Sequence, residues 1–425
     1  MTTARFADYI RQDMRTYGVD LPFCFTPYPV VGMPSTVLLQ YVEGNDPVTG
    51  KPLMEEILEA LTGSGTGKRK NGTVPKASPP RLLRLDTEDH LRGLFLEKGW
   101  TDGLPIVLPT EERVAAMLKG TSHPPDEVVG AMSISDSEAP QAYTVEMVAI
   151  NAVMAGAAPE HLPVILALAS TRHPAFPSST TSFATMVVVN GPVRHELKMN
   201  SGVGAMSPLN HANAVLGRAW TLMTINFGNT RVGETFLGSQ GNNLNYNNMC
   251  FAENEERSVW EPFHVQKGFR PDESVVSVFR GWSVLNSMGC INQRSAQEET
   301  VILLKAFSGL RSAATLILDP LVAKNLKEMQ GFATKADFSR WLSDHVKVPA
   351  GQYWAADIVY SFMRPLAEQG IEPYASWARL PDDALLTPFN DPKSINVTVT
   401  GGETNAFWKT TDFDYIVSAP VDKWR

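Results

Sequence analysis

Two stretches of this chain repeat one short pattern. Val187-Val-Val-Asn-Gly-Pro192 runs into Val193-Arg-His-Glu-Leu-Lys198, and Leu316-Ile-Leu-Asp-Pro320 runs into Leu321-Val-Ala-Lys-Asn-Leu-Lys327. Short, wholly apolar runs read as strands buried on both faces, and such strands need helices to cover them. The proline that follows each run suits the first turn of a helix, where its missing N–H costs nothing. A further helical pattern comes after each, from Ala212 and from Lys335. The pattern predicts an α/β body, with mixed α+β as the variant, in which helices pack on a largely buried mixed sheet. Two explanations remain open. Either the unit is duplicated, as pseudo-repeats over about 100–265 and 270–402, or strand–proline–helix is an ordinary junction used twice. Duplication would set Asn190 and Asp319 at two strand ends around a pseudo-twofold site.

The remaining periodicity fits that body. Leu104–Leu108 reads as a buried strand, and Thr110 as the cap of the helix after it. Helices are expected over 144–155, from Pro159, and over 212–226, 296–309, 320–329 and 334–345, with strands at 275–279, 315–318 and 395–399. Residues 62–84 have linker composition, separating a small N-terminal segment (1–61) from the main body (85–425). The Gly67-Lys-Arg-Lys70 stretch within it lacks the order of a phosphate-binding loop.

Composition narrows the function classes. At 43% hydrophobic and 19% charged, the 425 residues describe a globular protein. A formal charge of −8 argues against a nucleic-acid backbone binder. No apolar run approaches the roughly 20 residues of a membrane span, and the start lacks a signal peptide, so a cytoplasmic location is expected. Cys24, Cys250 and Cys290 are widely spaced and odd in number, which fits reduced thiols rather than a disulfide framework.

The densest chemistry lies between Cys250 and His264, which encloses Glu253, Glu255, Glu256, Glu261 and Trp260. It follows the glycine- and asparagine-rich segment 238–248, which has no apolar period. A solvated acidic loop is the bland reading. The functional one makes Glu253 and Glu255, alternating on an extended segment, an acid and a base. His264 would then carry protons. Cys250 is a candidate nucleophile, disfavoured because surrounding carboxylates would raise its pKa. Glutamates and a histidine permit a metal, but the H-E-x-x-H spacing is absent and no cofactor is assigned. Asp102, in an Asp-Gly turn, is a candidate substrate contact. Asn200, Ser201 and Asn210 flank two glycine-bearing turns at a helix start, where backbone N–H groups favour anions. Asn210 alternatively caps that helix. Arg218 would clamp a carboxylate or phosphate, and Gly401-Gly402 would admit a ligand at a strand end.

Several segments together resemble a known family. They are Gly99-Trp-Thr-Asp-Gly-Leu-Pro105, Thr144–Gly156 with Pro159-Glu-His-Leu-Pro163, Val189-Asn-Gly-Pro192, Asn200-Ser-Gly202, Cys250–Glu256 and Trp260-Glu-Pro-Phe-His-Val265. They resemble the large C-terminal region found with the UGSC-motif (seleno)protein family, over most of residues 95–402. The segment around Phe25-Thr-Pro-Tyr-Pro29 is similar to the tail of that family's small UGSC domain. The Cys/Sec-Gly-Ser-Cys element itself has no match, since Cys24 stands alone. The resemblance implies an enzyme with a site around Glu253, and a partner chain carrying the missing element if that element is used at all. The first expectation is a cytoplasmic enzyme acting on a small polar metabolite by carboxylate acid–base catalysis, of lyase, hydratase or hydrolase type. The alternatives are the substrate-binding subunit of a thiol- or selenol-dependent reductive complex, and a non-enzymatic ligand-binding or assembly subunit. A homo- or hetero-oligomer is expected.

Overall fold

A computed structural model describes residues 1–17, 21–30, 33–62, 81–133, 140–289, 295–309 and 312–425. Residues 63–80 of the expected 62–84 linker lie outside the described residues, as does Cys290. The body is a mixed α/β fold whose buried strands divide between two four-stranded sheets.

In chain order the strands are β1 (Ala184–Asn190), β2 (Phe251–Ala252), β3 (Val275–Gly281), β4 (Val284–Met288), β5 (Ala314–Leu318), β6 (Ile395–Val399), β7 (Phe407–Thr411) and β8 (Asp414–Pro420). One sheet runs β8-β3-β1-β2 and the other β6-β5-β7-β4. Each has a parallel pair, β1 with β2 and β5 with β6, and antiparallel neighbours beyond it. The two sheets therefore correspond strand for strand, with β4 and β8 exchanged: each follows one sheet in the chain and joins the other. The two-residue links that make the exchange are bonded together. Asp412 Oδ1 accepts from Trp282 N and Ser283 N, both at 2.8 Å. Gly281 permits this approach, since a Cβ there would press on Phe413 and Asp412.

Helices cover the outer faces. Val145–Ala155 (α1), Leu162–Ser170 (α2) and His211–Phe227 (α3) bury Val148, Ile165, Leu216 and Trp220 against Val187, Val189, Val276 and Val278 of the first sheet. Ala296–Phe307 (α4), Pro320–Glu328 (α5) and Lys335–His345 (α6) bury Leu304, Val322, Phe338 and Leu342 against Leu316, Leu318, Val397 and Val399 of the second. Between the sheets lies a third core, in which Met186, Val188, Phe251 and Phe279 of the first meet Ile317 of the second. The order is helix, sheet, sheet, helix. This alternation of faces is the period-2 consequence of the strands.

The expected Thr110 cap forms, and Thr144 and Asp319 likewise accept from a backbone N–H of the helices they precede. Leu104–Leu108 is a correction. It forms no strand, because Pro105 lacks a donor and Val107 N bonds instead to Met154 O of α1, at 3.3 Å. The N-terminal segment is tied together by buried Asp46, which accepts from Phe25 N, Val48 N and Thr49 N. Among the described residues no helix is long and apolar enough to cross a membrane.

Candidate functional site

The C-terminal ends of the two parallel pairs are where chemistry concentrates, and the two ends differ. The register pairs Val189 with Ala252 and Leu318 with Val399, so Glu253, Asn254 and Glu255 occupy the places held by Thr400, Gly401 and Gly402 in the other sheet.

At the first end the residues lock together. Glu253 is wholly enclosed and accepts four hydrogen bonds. Oε2 takes Asn190 Nδ2 and Phe263 N, both at 2.7 Å, and Oε1 takes Lys335 Nζ at 2.7 Å and Val399 N at 3.1 Å. Lys335, the first residue of α6, is equally buried. Glu255 Oε1 accepts from Asn190 Nδ2 and Gly191 N, and its Oε2 lies 3.0 Å from Arg194 Nη2. Arg194 also donates to Gly191 O, Glu253 O and both oxygens of Glu256. The Arg194 guanidinium holds the Glu256 carboxyl down to about 2, with His195 assisting. His264 is buried on the short helix Phe263–Gln266, its Nδ1 3.9 Å from Glu255 Oε1. Among the described residues neither ring nitrogen has a hydrogen-bond partner.

This enclosure corrects the role expected for Glu253. A carboxylate with four donors and no exposed surface has no position left for a substrate proton. Cys250 is corrected as well: it lies in the outer core of the first sheet, where burial pushes its thiol up to about 12. Burial there disfavours the thiolate that a nucleophile requires.

The expected anion clamp is also occupied. Arg218 grips Asp102 through Nε at 2.8 Å and Nη2 at 3.0 Å, and reaches Pro105 O at 2.8 Å. Asn210 does not cap α3 with its side chain. Its Nδ2 turns back to Gly204 O, Ala205 O and Ser207 O, while Oδ1 accepts from Asn200 Nδ2. Asn200 Oδ1 in turn accepts from Gly202 N. The two asparagines thus brace the 200–210 loop, and Asn200 takes up the N–H of Gly202.

That loop serves the second strand end. Gly401 N and Thr400 Oγ1 both donate to Ser201 O, at 2.9 and 3.1 Å. Gly401 has φ +136°, and a Cβ there would overlap Asp319 Oδ2. A Cβ on Gly402 would strike Val203. The structure thus brings Asn200, Ser201, Asn210, Gly401 and Gly402 together, while Asp102 pairs with Arg218 and Glu255 lies beside His264.

Where the first end is filled by side chains, the glycines of the second leave a cavity of about 200 Å³, lined by Asp319, Lys409, Asn286, Thr400 and the 202–206 turn. Burial raises the Asp319 carboxyl above its usual range and the Glu403 charge adds to this, against the backbone N–H groups of Leu321 and Glu403. Burial lowers the Lys409 ammonium. Lys409 Nζ donates to Asn286 Oδ1 at 2.5 Å. Both shifts move toward the uncharged form.

Sequence reasoning named Asp319 only as a strand end, and missed Lys409, Asn286, Arg194 and Lys335. Lys409 and Asn286 sit on strands too polar to stand out, and Lys335 looked like an ordinary first-turn residue. A second, larger cavity of about 540 Å³ lies between the Gly99–Asp102 turn and the 240–246 segment. Among the described residues no three His, Cys, Asp or Glu are grouped to hold a metal ion. Comparison with protein-family models, with curated proteins and with solved structures returns no match to the chain.

Proposed function

We propose that the chain is a cytoplasmic enzyme that acts on a small polar metabolite by acid–base catalysis at the 200 Å³ cavity. The observation that carries this reading is the presence of a carboxyl and an amine in one enclosure at the carboxyl ends of a parallel strand pair. Ligands of open α/β sheets sit at such ends. Among the described residues no ion pair joins Asp319 to Lys409, so neither neutralises the other by direct contact. Asp319, its carboxyl raised by burial, is placed to give or take a proton, and Lys409 to polarise or protonate a leaving oxygen. Thr400 and Asn286 supply polar contacts on either side. Lyase, hydratase or hydrolase chemistry suits such a pair.

The test is incubation of the protein in D2O with pooled small hydroxy acids, oxo acids and amides, followed by mass spectrometry for conversion or carbon-bound deuterium. Asp319→Asn is the informative variant, because asparagine still caps α5 through Leu321 N and gives up only the contact with Glu403 N. A conversion that falls at least about 100-fold in Asp319→Asn, with the unfolding midpoint kept, supports the role. Conversion that persists in this variant refutes it.

A further inference from the structure

The larger cavity gathers two motifs that the proposed chemistry leaves unused, the Gly99–Asp102 turn and the glycine- and asparagine-rich 238–248 segment. Its walls are Phe176, Phe236, Ile225 and Tyr246, with Phe176 and Phe236 edge to face at 5.4 Å. Two charged residues line it, Asp102 and Arg231. Asp102 is already neutralised by the two-point grip of Arg218. Arg231 is left as the cavity's net charge.

The setting of Arg231 is that of an anchor. Its carbonyl accepts from Glu234 N, Thr235 N and Phe236 N, and its N–H donates to Thr235 Oγ1 at 2.7 Å. Nη1 donates to Thr230 O at 2.7 Å and to Ile225 O at 3.5 Å. One arm of the fork is thereby fixed to backbone, while Nε and Nη2 meet no carboxylate among the described residues. Gly99 packs directly beside the group, so that a Cβ there would be in contact with Nε, at 3.4 Å. The amides of Asn242 and Asn245 are spent holding the walls, on Ser182 O, Trp282 O and Phe183 O.

A cavity with aromatic and aliphatic walls, one oriented guanidinium and no competing anion selects a particular chemistry. We propose that it is a second ligand site, separate from the Asp319 cavity, and that it binds a small planar apolar carboxylate, with the carboxylate on the free edge of Arg231 and the apolar body against Phe176 and Phe236.

Benzoate and its neutral isostere benzamide test this on the unaltered protein, by titration calorimetry at low and high salt. Saturable benzoate binding at least about tenfold tighter than benzamide is expected, because charge-assisted contacts are about twice as strong as neutral ones. Arg231→Gln should remove the preference and leave the aromatic contacts. Val232→Trp, at an exposed position on the mouth of the cavity, should weaken both ligands while leaving Arg231 intact. Equal affinity for benzoate and benzamide, or no saturation by benzoate at millimolar concentration, overturns the proposal. So does an Arg231→Gln variant that keeps the wild-type preference.

Discussion

Removal of the Lys335 ammonium should destabilise this protein more than most single substitutions. Lys335 Nζ sits 2.7 Å from Glu253 Oε1, and the two side chains are 1% and 0% exposed. At an effective dielectric near 20 the pair attracts by about 6 kcal/mol, most of it offset by the desolvation of both ions. Lys335→Met leaves the desolvation of Glu253 and withdraws its partner, which costs about 3–5 kcal/mol. The other three donors, Asn190, Phe263 N and Val399 N, then face an uncompensated carboxylate. Glu253→Gln strands the ammonium instead and sets an amide N–H against a donor, for a cost of about 2–4 kcal/mol. The double variant removes both charges, so it should cost at least about 1.5 kcal/mol less than the sum. Urea unfolding followed by tryptophan fluorescence reads all three. A Lys335→Met cost below about 1 kcal/mol, or additivity within about 0.5 kcal/mol, would refute the brace.

Three further outcomes follow from the same geometry. Gly401→Ala, which combines φ +136° with overlap on Asp319 Oδ2, should destabilise by at least about 2 kcal/mol in the same urea assay, whereas Gly268→Ala, with open space around it, should cost less. Cys250, buried and with its thiol pushed up to about 12, should resist iodoacetamide at pH 8 and react only in denaturant, as peptide mass spectrometry would show. The folded Glu256 carboxyl lies at about 2, below its ordinary 4.5. A lowered acid stabilises fully above its unfolded value, and that contribution is lost as pH falls from about 4.5 toward 2. Glu256→Gln should therefore flatten the acid limb of a stability–pH profile in that window, and an unchanged limb would count against the Arg194 contact.

Sequence reading reached far where one physical signal dominated. The apolar runs at 187–189 and 316–318 became β1 and β5, and Thr110 before a helical pattern marked a real cap. It failed where the signal was mixed. β4 and β7 read as neither strand nor helix, because Asn286 and Lys409 interrupt their apolar residues on the face between the sheets. The exchange of β4 and β8 is decided by two-residue links, Trp282-Ser283 and Asp412-Phe413, whose composition names no destination. At the site, the crowding of charge between Cys250 and His264 was real. Nothing in one sequence says that a carboxylate's acceptors are already taken by Lys335 and Val399, which lie far along the chain.

That cross-connection also ties the two strand ends together. Glu253 takes Val399 N, Asn254 N donates to Val399 O, and Thr400 Oγ1 lies 3.0 Å from Ala252 O. The last residue of β6 is thus held from both sides by the end of β2, and the next residues, Thr400 and Gly401, line the cavity with Asp319. A topology used twice gives two equivalent ends. Here one is filled with ionised side chains and fixes the position of the other, which glycine keeps open. Under the proposed function Glu253 would be a positioning residue, whose effect on turnover passes through Thr400 and Gly401. Glu253→Gln should then lower ligand affinity and stability together, and leave the pH dependence of turnover to Asp319. A pH profile that shifts in Glu253→Gln would return the proton-transfer role to the glutamate.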